Sequence, residues 1–212
     1  VVTKHKPFEL TEEAYLNLGW CQFTLGAAGK PAFLAAANKT FSALLEKYPP
    51  GKGKKSGPAL YFQGEAYYAQ EKRQKAADAY RRLLREHKKT PLRRDALYAL
   101  GVTEEELGNY PAADQLYGLF LKEFSKDPLR TEVQMRKAET ILQSGLAAQA
   151  KKQDATATKL LEEAERGFAT AAAAKGFESA DHALYRQAYC VAKQGQHERA
   201  ATLYAMLPTS HP

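Results

Sequence analysis

A small residue followed four positions later by a large ring recurs five times along this 212-residue chain: Ala37/Phe41, Ala76/Tyr80, Ala113/Tyr117, Ala164/Phe168 and Ala200/Tyr204. Each pair lies downstream of another small residue, in the order Gly19, Gly64, Gly101, Ala138 and Ala188. Positions four apart share one face of a helix. A helix so marked lets a neighbouring backbone approach at its small residue and fills the remaining space with its ring. Arg94–Asp127 carries the pattern most fully. Leu97, Leu100, Gly101 and Glu104 line a first helix, Gly108-Asn109-Tyr110 breaks it, and Ala113, Tyr117 and Phe120 line a second. Both helices are apolar on more than one side, so one hairpin cannot bury its own surface and needs copies of itself as neighbours.

The copies are visible in longer strings. Ala-Leu-Tyr stands at 59–61, 96–98 and 183–185, and Thr90-Pro91-Leu92-Arg93 returns as Asp127-Pro128-Leu129-Arg130, 37 residues later. These marks divide the chain into a lead-in at 1–10, in which Pro7 and Phe8 are placed to pack on the first helix, and five units at 11–50, 57–90, 94–127, 129–176 and 179–212. In the first unit Thr11 reads as a cap with Glu12 and Glu13 behind it, Gly26 as a stop, and 32–47 as the second helix. Tyr48-Pro49-Pro50 ends that helix. PPGKGKKSGP, 49–58, reads as a solvated linker; no strand precedes it and the G-x-x-x-x-G-K-[S/T] order is missing, so it is no phosphate cradle. In the fourth unit 146–159 is an insertion of about 14 residues relative to the repeat length. It is rich in Ala, Gln and Lys and free of Pro and Gly, a composition suited to lengthening helices rather than looping out.

On these residues the chain resembles the tetratricopeptide repeat family, whose unit of about 34 residues places a leucine, a glycine and a tyrosine on its first helix and alanines and an aromatic on its second. The likeness spans roughly 11–212 and is strongest in the second and third units. Glu104 departs from it, standing where the family carries a tyrosine. The resemblance implies an all-α, right-handed α–α superhelix, or solenoid, of about five helix-turn-helix repeats. The A-L-Y-x-L-G opening, the G-N-Y-x-x-A turn and the F-L-K-E-F-x-x-D-P close are similar to bacterial cell-envelope members, of the Tol-Pal coordinator and outer-membrane-barrel assembly lipoprotein types. A periplasmic or cell-envelope location is therefore favoured over the cytoplasm.

Composition excludes several classes. Apolar residues at 44% and charged residues at 26% belong to a folded chain rather than a disordered one. No apolar run approaches the ~18 residues of a membrane span. The chain opens at Val1 rather than at methionine, as expected of one from which a signal peptide or lipid-anchor cysteine has been trimmed. Membrane association is expected only through such an anchor. PTSHP supplies no capping helix, so continuation beyond Pro212 is expected. Cys21 and Cys190 read as small buried residues of first helices, four units apart and too distant to bridge. The five histidines share no metal spacing, neither cysteine lies in a C-x-x-C, and paired carboxylates occur only as helix runs. No catalytic residue, metal or cofactor is expected, and the chain reads as a non-enzyme.

Binding is the reading that remains. In the family, first helices line the hollow of the superhelix, and carrying its groove positions over to this sequence selects Trp20 and Phe23 in the first unit. It selects Tyr61, Glu65 and Tyr68 in the second, Tyr98 and Glu105 in the third, Met135 in the fourth, and Tyr185 and Tyr189 in the fifth. Rings offer large contact area with few rotors to freeze. Rings beside carboxylates imply a protein or peptide partner with apolar anchors and a basic or neutral character. The same rings could instead be packing between adjacent units. The family's lysine- and asparagine-built clamp for acidic tails is not matched. A separate basic run, ten Lys or Arg against two acids from Lys72 to Arg94, could meet nucleic acid or an anionic membrane. Its cations interleave with apolar residues and no stacking rings accompany them, so nucleic acid is an unlikely partner. The third reading is a structural or oligomerising segment of a larger protein. Sequence leaves the oligomeric state open.

Overall fold

The computed structural model describes residues 10–49 and 51–207, and within them lie ten α-helices and no strand. The helices are α1 Thr11–Ala27, α2 Ala32–Lys47, α3 Ser56–Tyr68, α4 Arg73–Glu86, α5 Arg93–Glu106, α6 Tyr110–Glu123, α7 Arg130–Ala150, α8 Asp154–Ala172, α9 Ala180–Lys193 and α10 His197–Ala205. The all-α class is the one expected. The chain divides into two compact units, Val1–Leu107 and Gly108–Pro212. In the first, each of α1 to α4 packs on its successor and α1 also touches α3; in the second, each of α6 to α9 packs on its successor. The expected packing of Pro7 and Phe8 and the expected stops at Pro50 and Pro208 lie outside the described residues.

The register marks are the core. Ala37, Phe41, Ala76, Tyr80, Ala113, Tyr117, Ala164, Phe168 and Ala200 are all buried, and Tyr204 is half-buried. The close-approach residues are small because nothing larger fits. A Cβ built on Gly19 would lie 2.4 Å from Phe41 Cε1, and one on Gly64 would lie 2.4 Å from Tyr80 Cε1. In the second unit the contact is turned round: a Cβ on Gly167 of α8 would meet the Ala138 Cβ of α7 at 2.8 Å. The first unit's apolar cluster centres on Phe41, Leu44, Leu60 and Leu83, and the second's on Leu142, Leu161 and Phe168.

Every hairpin turn holds one residue in the left-handed region: Gly29, Glu71, Gly108, Lys152 and Gly195. In four of the turns the next residue's N–H reaches back to the carbonyl five positions earlier, as in Lys30 to Leu25, Lys72 to Tyr67, Gln153 to Ala148 and Gln196 to Val191. This closes the free carbonyls of the preceding helix.

Three local expectations are corrected, and the one for the insertion is met. Thr11 is the first residue of α1 rather than its cap; Leu10 holds the cap position and makes no side-chain cap bond. The neighbouring Glu12 accepts the Lys55 backbone N–H, and Lys55 Nζ lies 3.3 Å from Glu13 Oε2, so the acids of the first turn fasten the loop after α2. That loop is shorter than PPGKGKKSGP suggested, because Ser56 and Gly57 are buried in the first turn of α3. The insertion of the fourth unit enters its helices: α7 has 21 residues and α8 19, leaving only 151–153 as the turn. Lastly, Cys21 is exposed while Cys190 is buried, and both are free thiols. Cys21 shares a stripe with Ala14, Leu18 and Leu25, all exposed. These are the apolar residues of a helix that, among the described residues, has neighbours on one side only.

Candidate functional site

Seven of the ten sequence-selected residues fall in the first unit, on α1, α3 and α5. Trp20 is 48% exposed and stands on the outer part of α1, where its carbonyl accepts the Thr24 hydroxyl. Phe23 and Tyr61 lie differently. Phe62, which the sequence reading did not select, is the hub of a ring cluster with Phe23 at 6.3 Å, Phe41 at 6.3 Å and Tyr61 at 5.5 Å between centroids. Tyr61 also packs on Tyr80 at 6.0 Å. Phe23 and Tyr61 are thus half-buried, each with one side built into the core.

Glu65 is held from within, accepting the Tyr80 hydroxyl at 2.7 Å. Burial, then the Glu65 charge, pushes both the Tyr61 and Tyr80 hydroxyls above the usual tyrosine range. They stay protonated, and Tyr80 can donate at any physiological pH. Tyr68 is braced in the same manner. Its hydroxyl donates to Glu106 Oε1 at 2.6 Å, Arg73 lies over its ring at 4.0 Å, and Arg73 pairs with Glu106. One guanidinium therefore ties the end of α3 to the start of α4 and the end of α5. Tyr98 and Glu105 are half-buried on α5.

The remaining three fall in the second unit. Met135 and Tyr189 are half-buried against the cluster around Leu142 and Phe168. Tyr185 is 45% exposed, with one side against Tyr204 at 5.7 Å. The organising side chain here is Arg186, which sequence reasoning passed over. It forks onto Glu139, with Nε 2.8 Å from Oε2, and its guanidinium lies 5.3 Å from the Tyr189 ring centroid. A cation one residue after Tyr185 and one helical turn before Cys190 was the available signal. Cys190 itself is an inert thiol, pushed up to about 12 by burial.

Glu104, the departure from the repeat pattern, is buried and paired with Arg81 of α4. An aromatic filling that position would need no cation, so the carboxylate and the arginine stand as a matched pair. Glu165 of α8 repeats the device in the second unit, held by Arg199 and by Gln194 Nε2 at 3.0 Å. Ion pairing also claims most arginines of the basic run: Arg73 with Glu106, Arg81 with Asp78 and Glu104, Arg82 and Arg85 with Glu86, and Arg94 with Asp95. Among the described residues, no three His, Cys, Asp or Glu side chains gather where a metal ion could be held, and no helix is long and apolar enough to cross a membrane.

Stacked helical hairpins with small residues at their crossings define the chain as a helical-repeat protein. Two family models described as tetratricopeptide repeat match it, one over residues 61–128 and the other over 182–212, and these segments belong to that family. No relative was found among curated protein sequences. Solved structures agree on the fold along most of the chain. The TPR-like repeats of a Podosopora anserina kinesin light chain candidate align with TM-score 0.60 at 16% identity, covering 94% of this chain and 95% of that one. A MamA protein aligns with TM-score 0.62 at 13% identity over 93% and 90%. MamA from Desulfovibrio magneticus aligns with TM-score 0.57 at 14% identity over 92% of each chain. At such identities the likeness is one of fold. Tetratricopeptide repeats are in general non-catalytic and mediate protein–protein interaction, and neither matching family model is of an enzyme.

Proposed function

We propose that the chain is a binding module that receives a peptide or protein segment on the ring-bearing faces of its first helices, with Trp20 as the principal anchor in the first unit and Tyr185 in the second. The observation that carries this reading is the exposure of these two large rings, at 48% and 45%, while of the equivalent rings of second helices Phe41, Tyr80, Tyr117 and Phe168 are buried and Tyr204 is half-buried. Rings that served packing alone would follow Phe41 and Tyr80 inward. On the first helices of the same unit, the half-buried faces of Phe23 and Tyr61 add apolar area, and Glu65, Glu105 and Glu106 add carboxylates. A segment with apolar side chains and a neutral or basic character suits that surface. Tyr68 and Glu65, already engaged with Arg73 and Tyr80, act as preorganised walls rather than as free contacts. The similarity of its A-L-Y-x-L-G, G-N-Y-x-x-A and F-L-K-E-F-x-x-D-P strings to cell-envelope members supports a bacterial envelope location, as part of a larger assembly.

The test is selection of peptides from a random display library on the folded chain, followed by Trp20→Ala and Tyr185→Ala made separately. Both side chains are exposed, so neither change should lower the melting temperature by more than a degree or two. Each should weaken capture of the peptides that use its unit by tenfold or more, about 1.4 kcal/mol. Selected peptides retained undiminished by both variants would refute the assignment.

A further inference from the structure

The first unit carries a second concavity, away from the exposed ring of Trp20. It is an open hollow of about 1030 Å³ between the loop entering α3 and the loop joining α4 to α5. Its lining is divided by chemistry. The floor is apolar, made by Pro58, Phe62, Pro91 and Leu92, while lysines stand on both lips: Lys54 on one loop, Lys88 and Lys89 on the other. Five Lys or Arg and one carboxylate, Glu86, occur among the thirteen lining residues. That carboxylate is already held by Arg82 and Arg85, with the Arg82 Nε at 3.0 Å. Lys54, Lys88 and Lys89 are exposed and make no ion pair among the described residues. This is unlike most arginines of the same basic run, which are spent on neighbouring acids. The loops are held in place: Lys55 is fastened to Glu12 and Glu13, and the Ser56 hydroxyl lies 3.2 Å from His87 Nε2 across the two loops.

We infer that this hollow docks an acidic peptide segment, an apolar side chain seated on the Pro58–Phe62–Leu92 floor and flanking carboxylates reaching Lys54 on one side and Lys88 and Lys89 on the other. Charge complementarity selects the occupant: three uncommitted ammonium groups rim a site with no uncommitted acid. The shape decides among anionic partners. A flat bilayer reaches the rim but cannot reach a floor sunk between two loops. A nucleic acid strand gains affinity by stacking bases on open ring faces, and Phe62 is committed to Phe23, Phe41 and Tyr61. A peptide with acids on either side of a bulky apolar residue satisfies both rim and floor. The site is distinct from the ring-bearing faces and takes the opposite charge.

The experiment is fluorescence anisotropy of the intact chain with a labelled synthetic peptide of glutamates and aspartates around a central Leu-Phe pair. The expected result is saturable binding that weakens by about tenfold or more in Lys88→Glu/Lys89→Glu and, from the opposite lip, in Lys54→Glu. All three lysines are exposed loop residues, so thermal melts should be unchanged. Replacing the central pair by glycines should cost a comparable factor, and Lys175→Glu in the second unit should change little. Undiminished binding by the hollow variants would overturn the proposal, as would equal affinity for the glycine peptide, which marks a mere polyanion sink. So would displacement of the peptide by polyuridylate or phosphatidylserine vesicles at lower concentration than by unlabelled peptide, or no saturable binding.

Discussion

Single residues set the closest distances in this chain. Gly64 has Tyr80 where its own Cβ would be, 2.4 Å from the ring edge, and Tyr80 is fixed from its far end by Glu65. The ring cannot swing away without giving up that bond. Gly64→Ala should therefore destabilise the fold by about 1–3 kcal/mol, read as a lowered midpoint in thermal or urea unfolding. This constraint was legible in the sequence, because a glycine and an aromatic at fixed offsets are both local marks. The fate of the cysteines was only half legible. Repetition places both on first helices, but it assumes a neighbour on either side, and α1 has one side only among the described residues. Native protein should accordingly titrate one thiol rapidly, Cys21, and release the second only in denaturant. Burial raises the Cys190 thiol to about 12 against roughly 8.5 in an unfolded chain. Its contribution to stability is fully present below the unfolded value and is lost as pH rises from there towards the folded one, since the unfolded state then sheds the proton first. Stability in mildly alkaline solution should fall less steeply in Cys190→Ala than in the parent chain.

At the scale of elements, the hairpin turn is the invariant. Three of the five left-handed positions are glycine, while Glu71 and Lys152 meet the same geometry with side chains. A non-glycine residue there costs about 1 kcal/mol. Lys152 is exposed at the turn of the longest hairpin, so Lys152→Gly should raise stability by about that amount, measured by the unfolding midpoint; an unchanged or lowered midpoint would contradict the turn assignment. Helix existence and the absorption of the insertion into α7 and α8 could be read from composition, because Ala, Gln and Lys favour helix and no breaker interrupts them. Helix starts could not. Thr11 has the chemistry of a cap, but Leu10 occupies the position, and Glu12 is drawn to the loop at Lys55 by a contact 43 residues away in sequence. Glu104 was conspicuous as a departure, yet its explanation, Arg81, is a tertiary partner that no periodic pattern announces.

For the whole molecule, a net charge of +7 does not describe its surfaces. Most arginines of the basic run neutralise nearby acids, three lysines without an ion pair among the described residues rim one hollow, and the ring-bearing helices carry carboxylates. Repeat arithmetic located the rings but not their exposure. It grouped Trp20 with Tyr61 and Tyr98, although Tyr61 is joined to Phe62 and Tyr80 in the core and Trp20 is not. Trp20 is also the only tryptophan of the chain, so the proposed anchor carries its own reporter. The decisive measurement is its emission spectrum during titration with a display-selected peptide that uses the first unit. Covering a half-exposed indole removes water from it, so the account predicts a saturable blue shift whose midpoint coincides with binding measured independently. Saturable binding with Trp20 emission unmoved would contradict the claim that the outward rings of the first helices are where a partner is held.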